Sequence, residues 1–269
     1  MRRCKFIVLL GGLLAGGALL ATASFAQGIG RWIISTPMPS SRTEVAVAEV
    51  GWKIYVVGGF VEGWTPTDEV HEYDPASDRW QRLAALPTPR GALAAAVLGG
   101  KIHAVGGIGW RGRNTPAHEV YDPAAHRWTA LAYVPTARDH LVAAAVDGRL
   151  YAVGGRIDGN YSRNLTSNEA YDPATGRWER RAPLPTARSG IAAAVLEARM
   201  FVFGGEAPAG TFNQAEAYDA GSNGWSTYAR MPTARHGLGA ATVAGRIYVI
   251  SGGPTPGASA SAANEIFVP

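Results

Sequence analysis

Five times along the chain a short apolar run closes on glycine: Lys53-Ile-Tyr-Val-Val-Gly-Gly59, Lys101-Ile-His-Ala-Val-Gly-Gly107, Arg149-Leu-Tyr-Ala-Val-Gly-Gly155, Arg199-Met-Phe-Val-Phe-Gly-Gly205 and Arg246-Ile-Tyr-Val-Ile-Ser-Gly252. Each has the length, the branched and aromatic content and the glycine stop of a buried β-strand. Upstream of each lies a stretch of small apolar residues, at 46–50, 93–98, 142–146, 191–196 and 239–243, which predicts a second strand. Downstream comes Tyr-Asp-Pro at Tyr73, Tyr121 and Tyr171, then Tyr218-Asp-Ala, and finally Phe267. Asp-Pro followed by polar residues predicts a hairpin turn. Seven residues after each of the first four aromatics stands a tryptophan: Trp80, Trp128, Trp178 and Trp225. An arginine precedes each unit, at Arg42, Arg90, Arg138, Arg188 and Arg235, with spacings of 48, 48, 50 and 47 residues. Five features in one register define an internal repeat.

The double glycine with spaced tyrosine and tryptophan resembles the kelch repeat, and the resemblance runs over nearly all of the chain beyond residue 30. It implies an all-β, kelch-type β-propeller in which each repeat is a four-stranded antiparallel blade around a central channel. Small residues then suit a strand crowded against the axis, and the tyrosines and tryptophans fill the space between blades. The repeats fall at about 37–85, 86–133, 134–183, 184–230 and 231–269. The fifth ends two residues past Phe267 and lacks its tryptophan strand. Arg31-Trp32-Ile33-Ile34 followed by Pro37-Met38-Pro39 matches that missing piece. The expectation is five blades, the last completed by residues 30–36; six blades is the alternative.

The N-terminal segment changes the reading of charge and compartment. Arg2, Arg3 and Lys5 precede an apolar stretch from Phe6 to Leu20, and Ser24-Phe25-Ala26 gives the small-x-small pattern of a cleavage site. A signal peptide over 1–26 is expected, exporting residues 27–269 to the periplasm or beyond. Of the formal net charge of +4, three units lie in that segment, so the remainder carries +1. Nucleic-acid binding, which needs a basic stripe on the folded domain, is not expected. The single cysteine, Cys4, also lies in the segment, so the mature chain needs no disulfide. No second apolar stretch reaches spanning length, and a monomer without a membrane span is expected.

The resemblance places a binding face on the loops before the inner strands and after the double glycines. The arginines Arg42, Arg90, Arg138, Arg188 and Arg235 have two readings there. They form a cationic funnel for carboxylates, or they bond backbone carbonyls within the blades, which their presence in every repeat favours. Departures from the repeat add Glu44, Asp139, His140 and His236 as weak candidates for acid–base chemistry or for a polar rim. The loops after the glycines, 60–66, 108–116 and 156–166, add Trp64, Trp110, Arg156 and Tyr161, residue types suited to glycans or peptides. The loop 254–263 offers little chemistry. His103 reads as a packing variant of the strand aromatic, and His71, His118 and His126 as solvent-facing. A copper site of the galactose-oxidase type needs a cysteine that the mature chain lacks, and no metal-binding, phosphate-binding or nucleophile-elbow motif occurs. No cofactor and no metal is expected.

Three functions fit these residues. The favoured one is an exported, non-catalytic scaffold that recognises a polypeptide or glycan at one mouth of the propeller. The second is a sugar mutarotase or epimerase acting on an acidic sugar, resembling the periplasmic kelch enzyme for N-acetylneuraminate. The third is a structural component of the envelope.

Overall fold

The computed structural model describes residues 35–269, and every strand expected from the repeat within that range is present. Blade 1 comprises Ala46–Val50, Lys53–Val57, Val70–Asp74 and Arg79–Arg82. Blade 2 comprises Ala94–Leu98, Lys101–Val105, His118–Asp122 and Arg127–Ala130. Blade 3 comprises Val142–Val146, Arg149–Val153, Asn168–Asp172 and Arg177–Arg180. Blade 4 comprises Ala192–Leu196, Arg199–Phe203, Ala215–Asp219 and Gly224–Thr227. Within each blade the strands pair antiparallel in chain order, from the inner strand outward. Among the described residues blade 5 has three strands, Gly239–Val243, Arg246–Ile250 and Asn264–Phe267. The residues expected to complete it, Arg31 to Ile34, lie outside the described residues, as does the expected signal segment.

Between blades the contacts repeat. In blades 1 to 4 the ring at the centre of the second strand packs against the tyrosine or phenylalanine of the next blade's third strand. Tyr55 meets Tyr121 with ring centroids 6.1 Å apart, Tyr151 meets Tyr218 at 5.3 Å, and Phe201 meets Phe267 at 5.5 Å. His103 takes that place in blade 2, 6.2 Å from Tyr171, and is buried as a packing variant should be. The tryptophans anchor the outer edge. The indole N–H groups of Trp128, Trp178 and Trp225 donate to Ala84, Ala132 and Ala182 O, in the segment leaving the preceding blade. Trp80 donates to Thr36 O in the same way.

The arginines form clamps inside the blades rather than a funnel at the mouth. Arg90, Arg138, Arg188 and Arg235 are fully buried, and the side chain of Arg42 is equally shielded. Arg138 shows the pattern. Its Nε donates to Gly154 O at 2.8 Å, its Nη2 to Ala152 O at 2.7 Å, and its Nη1 to both Thr136 O and the Glu169 carboxylate. Arg90 pairs likewise with Glu119, Arg188 with Glu216, and Arg235 with Glu265. Each clamp joins the strand entry, the second strand and the third strand. A guanidinium does this because its planar donors reach several acceptors at once. In blade 1 the glutamate is replaced by His71, whose Nδ1 lies 3.0 Å from Arg42 Nη2. The expectation that His71 and His118 face solvent is therefore corrected, since both are buried. His118 Nε2 lies 2.8 Å from His103 Nδ1, under Tyr171 and Trp178.

The double glycine lets blades approach. At Gly106, with φ of +64°, a β-carbon would sit 2.6 Å from Arg138 O of the next blade. The second glycine, Gly107, donates its N–H to that same carbonyl. Any larger residue at Gly106 would push blades 2 and 3 apart.

Candidate functional site

Two residues after each clamp arginine the chain turns through a left-handed conformation at Glu44, Ala92, His140, Gly190 and Gly237, with φ between 50° and 63°. These five positions are linked around the axis. Ala92 N donates to Glu44 O, His140 N to Ala92 O, Gly190 N to His140 O and Gly237 N to Gly190 O. A left-handed turn penalises a β-carbon, which Gly190 and Gly237 avoid and Ala92 keeps to a single methyl. Glu44 and His140 carry long side chains there, and they direct large titratable groups into the mouth.

Above this collar lies a cavity of about 1060 Å3. One side is apolar, lined by Phe60, Trp64, Pro66, Ile108 and Trp110 from the loops of blades 1 and 2. Trp64 and Trp110 are 70% and 61% exposed, so neither is spent on covering a blade. Phe60 and Trp64 pack with centroids 5.6 Å apart. The Phe60 ring is seated over Gly91, where a β-carbon would come within 2.3 Å of it.

The other side is polar, and Arg156 organises it. The first residue after the double glycine is Phe60, Ile108, Arg156 or Glu206 in blades 1 to 4, and blades 3 and 4 thereby place opposite charges side by side. Arg156 Nη1 donates to Glu206 Oε1 at 2.6 Å, Nε to Asp139 Oδ1 at 3.2 Å, and Nη2 lies 2.9 Å from His140 Nε2. Its guanidinium carbon is 5.8 Å from the Tyr161 ring centroid, on the loop of its own blade. Asp139 is fully buried and also accepts from Asn114 Nδ2 at 2.6 Å and Gly159 N at 2.9 Å. Burial works against its charge. The hydrogen bonds from His140, Asn114 and Gly159 outweigh that and hold the carboxyl below the usual carboxylate range. His140 Nδ1 lies 2.5 Å from Asp139 Oδ1, which fixes the ring, and His140 Nε2 is 3.5 Å from Glu44 Oε2. Glu206 Oε2 accepts from Gly257 N at 2.9 Å, with His236 Nδ1 3.6 Å away.

Glu44, Asp139, His140, His236, Arg156, Tyr161, Trp64 and Trp110 thus gather at one mouth, while the five clamp arginines do not. Glu206 escaped sequence reasoning. Its signal was its place beside Arg156 in the aligned repeats, which shows only when the position after the glycines is read as a column. The loop 254–263 is also corrected: residues 257–260 line the cavity, and Gly257 holds Glu206. Among the described residues no cluster of three or more histidine, cysteine or acidic side chains is arranged to hold a metal ion.

The repeat geometry agrees with comparisons to known proteins. The family model described as the KLHDC2/KLHL20/DRC7 Kelch-repeats domain matches residues 134–268, and that of the Kelch motif matches residues 41–87. The chain belongs to the kelch-repeat family. Among solved structures, a kelch-type propeller reported as "Structure of YjhT" superposes with a TM-score of 0.79 at 15% identity, over 90% of this chain and 86% of that one. At that identity the likeness shows a shared kelch fold. No curated protein matches the chain at a significant level. The kelch fold supports a binding or scaffold role in general terms. No described helix is long and apolar enough to cross a membrane.

Proposed function

We propose that this kelch propeller is an exported recognition protein that binds a polypeptide or glycan in the mouth cavity. The observation that carries this reading is the pairing of two exposed tryptophans with a fixed polar wall across one concavity of about 1060 Å3. Ligand sites combine apolar walls with a few placed polar groups, and this cavity is of ligand-holding size. The polar wall is preorganised, since Asp139, Arg156 and Glu206 are locked by one another. Export rests on the basic start, apolar run and Ser24-Phe25-Ala26 of the sequence. The test is a screen of peptides and oligosaccharides followed by titration of Trp64→Ala and Trp110→Ala. Loss of binding at unchanged thermal stability supports the cavity as the site; unchanged affinity in both variants rejects it.

A second reading, the acidic-sugar mutarotase or epimerase, draws on one observation, the Asp139–His140 pair with His140 Nε2 near the cavity. Such a pair can hold an imidazole for proton transfer. Against it, Arg156 directs its donors to Asp139, Glu206 and His140 and is already neutralised as a carboxylate clamp. NMR of anomer exchange in sialic acid decides this reading: a rate equal to buffer alone removes it.

A further inference from the structure

The proposed ligand site contains three carboxylates, and they are not equivalent. Asp139 is fully buried and each of its oxygens meets two partners. Glu206 is 3% exposed, with Arg156 on one oxygen and Gly257 N on the other. Glu44 differs from both. Its side chain is 37% exposed, its only close ionisable neighbour among the described residues is His140 Nε2 at 3.5 Å, and no described residue donates a hydrogen bond to its carboxylate.

Glu44 adjoins both sides of the cavity, with His140 of the polar wall at 3.5 Å and the aromatic loop of blade 1 through its chain neighbour. Its neighbour Thr43 exchanges two backbone hydrogen bonds with Phe60, at 3.0 and 2.8 Å, and Phe60 packs against Trp64. The uncommitted negative charge of the mouth therefore lines the same cavity as the two indoles. Arg156 does not answer it, because its cation is shared between Asp139 and Glu206. Arg111 is the other cation lining the cavity; it is exposed on the turn carrying Trp110, where salt screens it.

A ligand settling over Glu44 removes its carboxylate from water. A neutral ligand leaves that charge buried without a partner, which is costly, whereas a cation compensates it. The face of an indole is also the preferred aromatic surface for a cation. Resting on the reading of the cavity as a ligand site, we infer that its ligand is a polypeptide segment anchored by a lysine or arginine side chain, held by Glu44 and the rings of Trp64 and Trp110.

The experiment is a calorimetric titration of the full chain with four probes: blocked tetrapeptides carrying lysine, serine or glutamate, and cellotetraose. The lysine peptide is expected to bind at least about tenfold more tightly than the serine peptide, and the glutamate peptide more weakly than either. Glu44→Gln is expected to remove about tenfold from the lysine peptide and to leave the serine peptide unchanged. Glu44→Gly, which places the residue of the equivalent positions 190 and 237 in the collar, should fold and show the same loss. Equal affinity for the lysine and serine peptides, preference for glutamate, or insensitivity to both Glu44 variants overturns the inference. Binding of cellotetraose alone, abolished by Trp64→Ala, overturns it while leaving the cavity as a ligand site. Binding of none of the four probes overturns it, and the broader screen then decides the cavity separately.

Discussion

Arg156 Nη1 and Glu206 Oε1 lie 2.6 Å apart although the two residues are 50 positions apart in the chain and belong to neighbouring blades. Both are nearly buried, so the pair is an inter-blade strut as well as a wall of the cavity. Arg156→Ala strands the buried Glu206 carboxylate and is expected to cost about 3–5 kcal/mol, whereas Glu206→Ala leaves Arg156 paired with Asp139 and should cost less. The double variant should cost less than the sum of the two, with a coupling of about 0.5–3 kcal/mol. Urea unfolding of the four proteins measures the cycle; additive losses would show that the contact carries no coupling.

The clamp arginines predict a different outcome, in stability and not in binding. Arg138→Ala leaves Glu169 buried at 1% exposure and strips donors from three backbone carbonyls. The expected loss is at least about 3 kcal/mol, seen as a lower urea midpoint. Exposed Arg163→Ala should change stability by no more than about 0.5 kcal/mol.

Gly106→Ala places a methyl 2.6 Å from Arg138 O, at a φ of +64°. The loss should exceed about 1 kcal/mol, because strain and a backbone clash add. Gly100→Ala also has positive φ but meets nothing within 4 Å, and it serves as the strain-only control. Equal losses in the two variants would mean that the blade contact does not matter.

The buried histidine pair predicts an acid-labile seam. Burial, reinforced by Lys101 for His103 and by His103 for His118, lowers their pKa values to about 4 and about 3, against an ordinary 6.5. Both are therefore neutral when folded, and the unfolded chain takes up protons first as pH falls. Their stabilising contribution is complete above about pH 6.5 and is lost as the pH drops from there through 4 toward 3, by a few kcal/mol in order of magnitude. His103→Tyr installs the residue found at Tyr55, Tyr151 and Tyr248. It should flatten the fall in melting temperature between pH 6.5 and 4; an unchanged slope assigns the acid sensitivity elsewhere.

How much was legible differs from residue to residue. The strands around Tyr55, Tyr151 and Phe201 could be placed because period, glycine stop and aromatic spacing recur in every repeat, and local pattern fixes strand and turn alike. His71 and His118 were misjudged because His71 takes the clamp glutamate's place against Arg42 and His118 packs under Tyr171 and Trp178 of the next blade, and a single polar letter does not reveal which side of a strand is covered. Glu206 was missed for a related reason. A glutamate after two glycines is an ordinary loop residue until the next blade brings Arg156 against it.

What the sequence determined alone was the repeat, the strands and the clamp positions, since these depend on interactions within one blade of about fifty residues. The tertiary structure decided which charges are used up and which remain available. Arg138 and Arg156 are both arginines that the repeat offers for the same mouth, yet one is sealed inside a blade by Glu169 and the other bridges two blades under the cavity. Glu44 and Glu206 are both acidic, yet Glu206 is held by Arg156 while Glu44 lines the cavity half-exposed, without a hydrogen-bond donor among the described residues. The physical reason is that charge availability depends on burial and on partners from other blades, and neither is written in the order of residues.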